Sequence, residues 1–292
     1  MARATAESIT EGIDLTGKTA LVTGVNSGIG TETMRVLSLR GARVIGTART
    51  LEKAQEACQS IDGQTLPLAC ELTDQNSIRQ CAKDIFDSNI NSLEIIVANA
   101  GIMALPKLEQ VEGIEKQFAT NHLGHFLLLN EVLPLIGKES PARVVMVSSA
   151  AHAQAPAVGI DFDNLSGERG YSGFRAYGQS KLANVLMANE LNKYLPEGST
   201  ANSVHPGVIA TNLGRHMQGP MTWALGLFMA PFMITVPQGA ATSCYVATHP
   251  DVEGVPGKYF SNCKQVRSSR QSQDAQLAER LWAKSRELVG LS

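Results

Sequence analysis

The sequence has few aromatic residues (5%), few charged residues (18%) and no block of like charge. Five cysteines in 292 residues are too few for a disulfide framework, and their odd number without a Cys-x-x-Cys pair favours a reduced, intracellular protein. The net charge of −2 leads us to expect no nucleic-acid partner. The longest apolar stretch, residues 221–236, is shorter than the ~20 residues that span a bilayer. We therefore expect a soluble, cytoplasmic protein, with an organellar location left open.

Short apolar runs alternate with segments of helical periodicity along the chain. We predict strands at residues 19–23, 43–47, 65–69, 93–98, 143–148 and 200–205, and helices near 28–40, 51–60, 74–87, 112–136 and 177–195. Strands that alternate with helices form a parallel sheet covered on both faces. We predict a single-domain, Rossmann-type, doubly wound α/β fold of about seven strands in the order 3-2-1-4-5-6-7. Such a sheet binds ligands beyond the carboxyl ends of its strands.

A glycine-rich turn lies between the first predicted strand and the helix that follows it. Glycines there let the backbone turn tightly and let a pyrophosphate approach the helix N-terminus. The spacing Gly-x-x-x-Gly-x-Gly differs from the usual dinucleotide fingerprint, but the flanking strand and helix favour a cofactor site over a purely structural turn. The predicted cofactor residues of this turn are Gly24, Asn26, Ser27, Gly28, Ile29 and Gly30.

Arg49 follows the second predicted strand, where an NAD site usually has an acidic residue that binds the ribose 2′-hydroxyl. A guanidinium suits a 2′-phosphate instead, because it forms charge-assisted hydrogen bonds. We therefore predict NADP(H) as the cofactor in preference to NAD(H). The alternative is that Arg49 is a solvated loop cation.

Tyr177 and Lys181 lie four residues apart, and so on one face of a predicted helix. To exchange protons near neutral pH, a tyrosine must lower its pKa by ~3 units, or ~4 kcal/mol. One cation at ~4 Å supplies ~4 kcal/mol at an effective dielectric constant of ~20. We therefore expect Lys181 to lower the pKa of Tyr177.

Further polar and small residues stand at predicted strand ends and in the helical segment between them: Asn99, Ala100, Gly101, Asn121 and Ser149. With the glycine turn and the tyrosine–lysine pair, they resemble the short-chain dehydrogenase/reductase family over nearly the whole chain from about residue 16. Segments 120–126 (TNHLGHF) and 176–186 (AYGQSKLANVL) are similar to its retinol dehydrogenase, WW-domain oxidoreductase and Tic32-like branch. Two positions depart from the family pattern, Ala98 for asparagine and Glu71 for aspartate.

The resemblance implies that Asn121, Ser149, Tyr177 and Lys181 form a catalytic tetrad. Tyr177 would protonate a substrate carbonyl oxygen, which Ser149 would hold by a hydrogen bond. Lys181 would lower the Tyr177 pKa and bind the nicotinamide ribose, and Asn121 would hold a water. The cofactor contacts implied beyond the glycine turn and Arg49 are Glu71, Leu72, Asn99, Ala100, Gly101, Tyr177, Lys181, Pro206, Gly207, Val208 and Thr211.

Residues 213–237 are apolar, and the resemblance implies that they cover the substrate. Methionines and aromatic residues make an adaptable apolar pocket, so we expect a hydrophobic aldehyde, ketone or alcohol as the substrate. The predicted substrate residues are Ser149, His152, Met217, Trp223 and Phe228. For His152, pocket lining and ordinary loop polarity are equal alternatives. Peripheral membrane contact is the alternative for the apolar segment.

His122 and His125 lie three residues apart, but no third ligand has suitable spacing, so we favour helix packing and predict no metal. Residues 277–288 have helical periodicity and predict a helix that covers the core or a sister subunit. Homodimerisation is common in the family and is left open.

These expectations combine into one domain with four parts: an N-terminal extension (1–16), a cofactor-binding and catalytic core (17–211), a substrate lid (212–239), and a last strand with a C-terminal helix (240–292). We expect an NADPH-dependent carbonyl reductase, reversible as an alcohol dehydrogenase, with Tyr177 as its general acid and base. The alternative is an NADP(H)-sensing accessory protein with little turnover.

Overall fold

The computed structural model describes residues 3–209 and 233–291, and its main sheet has eight strands. In chain order they are β1 (Thr19–Thr23), β2 (Arg43–Ala48), β3 (Thr65–Ala69), β4 (Ile95–Ala98), β5 (Arg143–Val147), β6 (Thr200–His205), β7 (Tyr259–Ser261) and β8 (Lys264–Val266). They lie side by side in the order β8-β7-β6-β5-β4-β1-β2-β3, and only β7 and β8 pair antiparallel. The predicted order 3-2-1-4-5-6-7 is confirmed, and β8 adds an edge strand to it.

Helices cover both faces of this sheet. They are α1 (Ala6–Ile9), α2 (Gly28–Leu39), α3 (Leu51–Gln59), α4 (Gln75–Asp87), α5 (Gly124–Val132), α6 (Gly173–Leu191), α7 (Val236–Thr248) and α8 (Ala275–Leu288). Two short strand pairs lie outside the sheet, Gln110–Val111 with Ile114–Glu115 and Val208–Ile209 with Met233–Ile234. Within the described ranges, no helix is long and apolar enough to cross a membrane.

The strands alternate their side chains between two hydrophobic cores, as a pleated sheet requires. In β1, Leu21 joins the core under α4, α5, α6 and α8, whereas Ala20 and Val22 join the core under α2 and α7. Because both faces are buried, the central strands are almost wholly apolar, and this is why their positions could be predicted from sequence.

The predicted helix near 112–136 is interrupted in the structure. A short helical turn, Lys116–Phe118, is followed by a π-turn at Ala119–Leu123, and only then by α5. A π-turn inserts one extra residue into the helix and is frequent at functional sites. Asn121 lies within this turn.

The C-terminal helix α8 covers the core of its own chain. Leu281 and Trp282 are buried in the same cluster as Phe126 and Leu182, which resolves the question of what this helix packs against. The helix α7 begins at Val236, inside the range predicted as a lid, and its Ala240 packs with Ala6 of α1.

Candidate active site

A cleft of about 760 Å³ follows the carboxyl ends of the strands, a volume typical of small-molecule sites. Most of the predicted cofactor residues line it: Gly24, Asn26, Ser27, Gly28, Ile29, Arg49, Glu71, Leu72, Asn99, Ala100, Gly101, Tyr177, Lys181 and Pro206. The next two predicted residues, Gly207 and Val208, follow Pro206 directly in the chain. Thr211 lies outside the described residues.

The glycine turn between β1 and α2 is too tightly packed for side chains. A Cβ atom on Gly30 would lie 2.1 Å from the Gly24 carbonyl oxygen and 2.6 Å from Asn99 Nδ2. Gly24 itself has φ +72°, and its Cβ would lie 2.9 Å from Ala100 Cα. Gly30 is therefore a packing residue of the turn, whereas Gly24 and Gly28 face the cleft.

The N-terminus of α2 offers unpaired backbone donors to the cleft. Its N-cap residue, Ser27, makes no side-chain hydrogen bond to the helix, whereas Thr50 caps α3 and Asp74 caps α4. Free N–H groups at a helix N-terminus bind phosphate well, because the helix dipole also favours negative charge there. The turn therefore fits the diphosphate of a nicotinamide dinucleotide.

Three charged side chains line the opposite part of the cleft, beyond β2 and β3. Arg49 pairs through its Nε with Glu71 Oε2 at 3.0 Å, while Thr73 donates two hydrogen bonds to Glu71 Oε1. Lys53, which the sequence analysis did not single out, adds a second cation from the first turn of α3. Arg49 thus lines the cleft and pairs with Glu71, while its side chain stays 66% exposed.

Tyr177 and Lys181 enter the cleft from α6, and Ser149 follows β5. The Ser149 hydroxyl is close enough to the Tyr177 hydroxyl to oppose the rise of the Tyr177 pKa that burial causes. Ser149 Oγ accepts from the Ala151 backbone N–H at 3.2 Å. Gly178 permits α6 to lie close to the segment that follows β5, because a Cβ on residue 178 would lie 2.7 Å from the Ala151 carbonyl oxygen.

Lys181 is buried and is held by the end of β5. Its Nζ donates to the Val147 carbonyl oxygen at 2.9 Å and lies 5.7 Å from the centre of the Tyr177 ring. Ser148 Oγ donates in turn to the Lys181 carbonyl oxygen at 2.7 Å. Burial lowers the pKa of Lys181 to about 8, so it still carries its charge at neutral pH.

The expected lowering of the Tyr177 pKa by Lys181 is wrong for this geometry. Burial raises the pKa of Tyr177 to about 12, and the hydrogen bond with Ser149 opposes that change only in part. The loss of hydration on burial is the larger of these two effects, so the pKa rises above its ordinary value. Tyr177 therefore keeps its proton at neutral pH.

Asn121 lies in the π-turn and is fully buried, and its amide makes three hydrogen bonds within the protein. Its Oδ1 accepts from the Ile102 N–H at 2.8 Å, and its Nδ2 donates to the Ile102 carbonyl and to Ser180 Oγ. Its main-chain carbonyl accepts from His125 Nδ1 at 3.0 Å. That Asn121 holds a water, as the family resemblance implied, stays a prediction.

His152 is buried beside the cleft with both ring nitrogens engaged. Its Nε2 accepts from the Ser269 N–H at 3.0 Å, so Nδ1 carries the proton and donates to the Ser149 carbonyl at 2.7 Å. The ring also packs on Tyr259 at 4.7 Å between centres. This geometry favours a role in which His152 positions Ser149 rather than one in which His152 contacts the substrate.

The other predicted substrate residues, Met217, Trp223 and Phe228, lie outside the described residues. His122 and His125 point to different partners, Ser285 Oγ and Thr23 Oγ1. Among residues 3–209 and 233–291, no group of three potential metal ligands comes together.

The chain resembles known proteins along almost its whole length. Residues 18–162 match the family model described as short chain dehydrogenase. Short-chain dehydrogenase TIC 32 B, chloroplastic, from Brassica napus is 43% identical, over 98% of this chain and 92% of that protein. Retinol dehydrogenase 12 from Mus musculus is 40% identical, over 97% of this chain and 89% of that protein.

Solved structures are also similar to this chain. An uncharacterized protein from Mycobacterium Paratuberculosis superposes with a TM-score of 0.79 at 31% identity and covers 100% of this chain and 99% of its own. A short-chain dehydrogenase/reductase from Serratia marcescens is 23% identical, with a TM-score of 0.67 over 85% of this chain and 96% of its own, and shares the fold.

Family members are oxidoreductases that use NAD(P)(H) and act on small CH–OH and C=O substrates. The strand order, the uncapped glycine turn and the Ser149–Tyr177–Lys181 cluster agree with that chemistry. This chain belongs to the short-chain dehydrogenase/reductase family, in the branch of the retinol dehydrogenases and TIC 32 proteins.

Proposed function

We propose that this protein is an NADPH-dependent reductase of hydrophobic aldehydes and ketones, reversible as an alcohol dehydrogenase. The observation that carries the proposal is the meeting of the uncapped α2 N-terminus, the Arg49–Lys53 cations and the Tyr177–Lys181 pair in one cleft. NADP(H) supplies the hydride when it is bound. The residues of the chain supply binding, orientation and the proton.

Tyr177 is the proposed general acid. With a pKa of about 12 it is protonated at neutral pH, which is the form that can donate to a carbonyl oxygen as negative charge develops there. The Ser149 hydroxyl, which lies beside that of Tyr177, can turn its proton to the same oxygen and stabilise the charge there. Lys181, charged and fixed on the Val147 carbonyl, stabilises the phenolate that Tyr177 becomes when it gives up its proton.

The preference for NADPH rests on charge. Glu71 holds Arg49 through Nε, so the two terminal guanidinium nitrogens are not used by that ion pair and can form a fork for a phosphate. Lys53 lines the same part of the cleft, so two cations outnumber one carboxylate there. A ribose 2′-phosphate fits this excess of positive charge better than a 2′-hydroxyl does.

Apolar residues support a hydrophobic substrate. Ile102, Met103 and Val147 line the cleft. Val208 and Met233 lie opposite each other in a short strand pair, and 37% and 41% of their surfaces are exposed. Pro206, two residues before Val208, lines the cleft. Surfaces of this composition bind apolar molecules by area rather than by many hydrogen bonds.

Cofactor preference can be tested by measuring NADPH and NADH binding to Arg49→Ala and Lys53→Ala. We expect NADPH to bind about tenfold or more weakly to each, since hydrogen bonds to charged groups contribute ~1.5–3 kcal/mol, and NADH binding to stay unchanged. Lys83→Ala is the matched control, because Lys83 is as exposed as Arg49 (65% and 66%) but pairs with Asp87 away from the cleft. Equal affinity for NADH and NADPH in the unmodified protein would overturn the preference.

Turnover can be tested by NADPH oxidation with retinal, aliphatic aldehydes, steroids and aromatic diketones. Tyr177→Phe keeps the buried ring, so we expect NADPH binding to be retained and turnover to be lost. NADPH binding without reduction of any compound, and with no difference between the two proteins, would favour the sensing function instead. A cytoplasmic location, a homodimer and peripheral membrane contact stay predictions.

A further inference from the structure

His125 is a buried histidine that takes no direct part in the reaction. Its two ring nitrogens form hydrogen bonds with two different segments beside the cleft. Its Nε2 lies 2.8 Å from Thr23 Oγ1, and its Nδ1 lies 3.0 Å from the Asn121 carbonyl oxygen. Thr23 ends β1 directly before the glycine turn, and Asn121 lies in the π-turn. His125 therefore joins the two parts of the cleft.

The donors of this network can be assigned. Thr23 Oγ1 accepts from the backbone N–H groups of Asn99 and Ala100, both at 2.9 Å. Its two lone pairs are then occupied, so its own proton is directed to His125 Nε2. His125 Nδ1 must consequently carry the ring proton, and it donates to the Asn121 carbonyl.

The network reaches the cleft wall through the Asn121 amide. Asn121 binds both the N–H and the carbonyl of Ile102, so a shift of the π-turn would move the backbone beside it. Gly101 precedes Ile102 in this wall and lies close to the same amide, since a Cβ there would lie 3.0 Å from Asn121 Oδ1. His125 thus links the end of β1, directly before the glycine turn, to the backbone at Ile102 through a chain of hydrogen bonds.

We propose that His125, as the neutral Nδ1–H tautomer, is a positioning residue that fixes Asn121 and the Gly101 backbone relative to the glycine turn. The proposal rests on the proposed reductase function, which it extends to a residue that does not touch substrate. Burial and the nearby Lys181 charge lower the pKa of His125 to about 4, which keeps the ring neutral. A protonated ring would lose its acceptor at Nε2.

His122 provides a matched control. It lies three residues earlier in the same helical segment, is equally buried, and binds Ser285 of α8, away from the cleft. Both His→Phe variants remove a buried polar ring, so we expect both to lower the melting temperature. Only His125→Phe should weaken NADPH binding and lower kcat/KM, by about tenfold each, while His122→Phe should stay within about twofold.

A conservative variant and a spectrum complete the test. His125→Asn keeps an amide donor at the place of Nδ1, so we expect it to recover most of kcat/KM. In the ¹⁵N spectrum of histidine-labelled protein at pH 7, the signal that is absent from both His125→Phe and His125→Asn should have the Nδ1–H pattern.

Three results would overturn the proposal: equal losses of activity in the two His→Phe variants, no rescue by His125→Asn, or an Nε2–H tautomer. If the unmodified protein reduces no carbonyl compound, the proposed function fails. The tautomer and the NADPH affinities of the variants then still decide the role of His125.

Discussion

Acidification should destabilise the protein through its buried histidines. Burial lowers the pKa of His122 to about 3 and that of His125 to about 4, whereas an unfolded histidine titrates near 6.5. As the pH falls below that unfolded value, the unfolded chain binds protons that the folded protein excludes. The stability that the neutral rings provide at pH 7 is therefore lost progressively between pH 6.5 and the folded pKa values.

The magnitude follows from the two pairs of pKa values. Between pH 7 and pH 5, each histidine lowers the free energy of unfolding by about 2 kcal/mol, so the pair lowers it by about 4 kcal/mol. This is a large part of the ~5–15 kcal/mol by which most proteins are stable. Both side chains are fully buried, so solvent does not screen the effect.

Urea unfolding at several pH values between 7 and 5 measures this loss. His205, whose pKa burial also lowers to about 4, adds to the total, so the informative quantity is the difference from a variant that lacks one ring. In His122→Phe the loss between pH 7 and pH 5 should be smaller by about 2 kcal/mol. An identical pH dependence in both proteins would refute the reasoning.

Two further predictions concern packing. Gly30→Ala places a Cβ 2.1 Å from the Gly24 carbonyl, so we expect NADPH binding to be lost in titrations, and unchanged binding would contradict the tight packing of the turn. Trp282 stacks on Tyr194 at 4.5 Å and meets Phe126 edge-on at 4.8 Å, so Trp282→Ala should lower the free energy of unfolding by ~3–5 kcal/mol. Trp282→Phe should lower the free energy of unfolding much less, since it keeps a ring and removes the unpaired Trp282 Nε1. Chemical denaturation measures both losses, and equal losses in the two variants would contradict this.

Much of the fold could be predicted because buried parallel strands are continuous apolar runs. β1, β3 and β6 begin and end at the predicted residues. The π-turn could not be predicted, since one extra backbone residue changes hydrogen bonding without changing the hydrophobic pattern. The edge strand β8 was also missed, because its three residues are all exposed and carry no apolar periodicity.

The site residues also divide into features that the sequence predicts and features that depend on the folded structure. The residues that line the cleft follow strand ends, and parallel strands bring their carboxyl ends to one edge. The Arg49–Glu71 pair depends on how β2 and β3 align, which spacing along the chain does not reveal. The Tyr177 pKa depends on burial by the folded chain, so an estimate from one neighbouring charge had the wrong sign.

The docking of α8 has a consequence for how the protein is made. Phe126 and Leu182 share a core with Trp282, although the ribosome delivers α5 and α6 long before α8. Until that helix emerges, the nascent chain exposes an apolar face of the kind that chaperones bind. Because α6 also carries Tyr177 and Lys181, the core that supports this side of the cofactor cleft closes only when the last of these helices arrives.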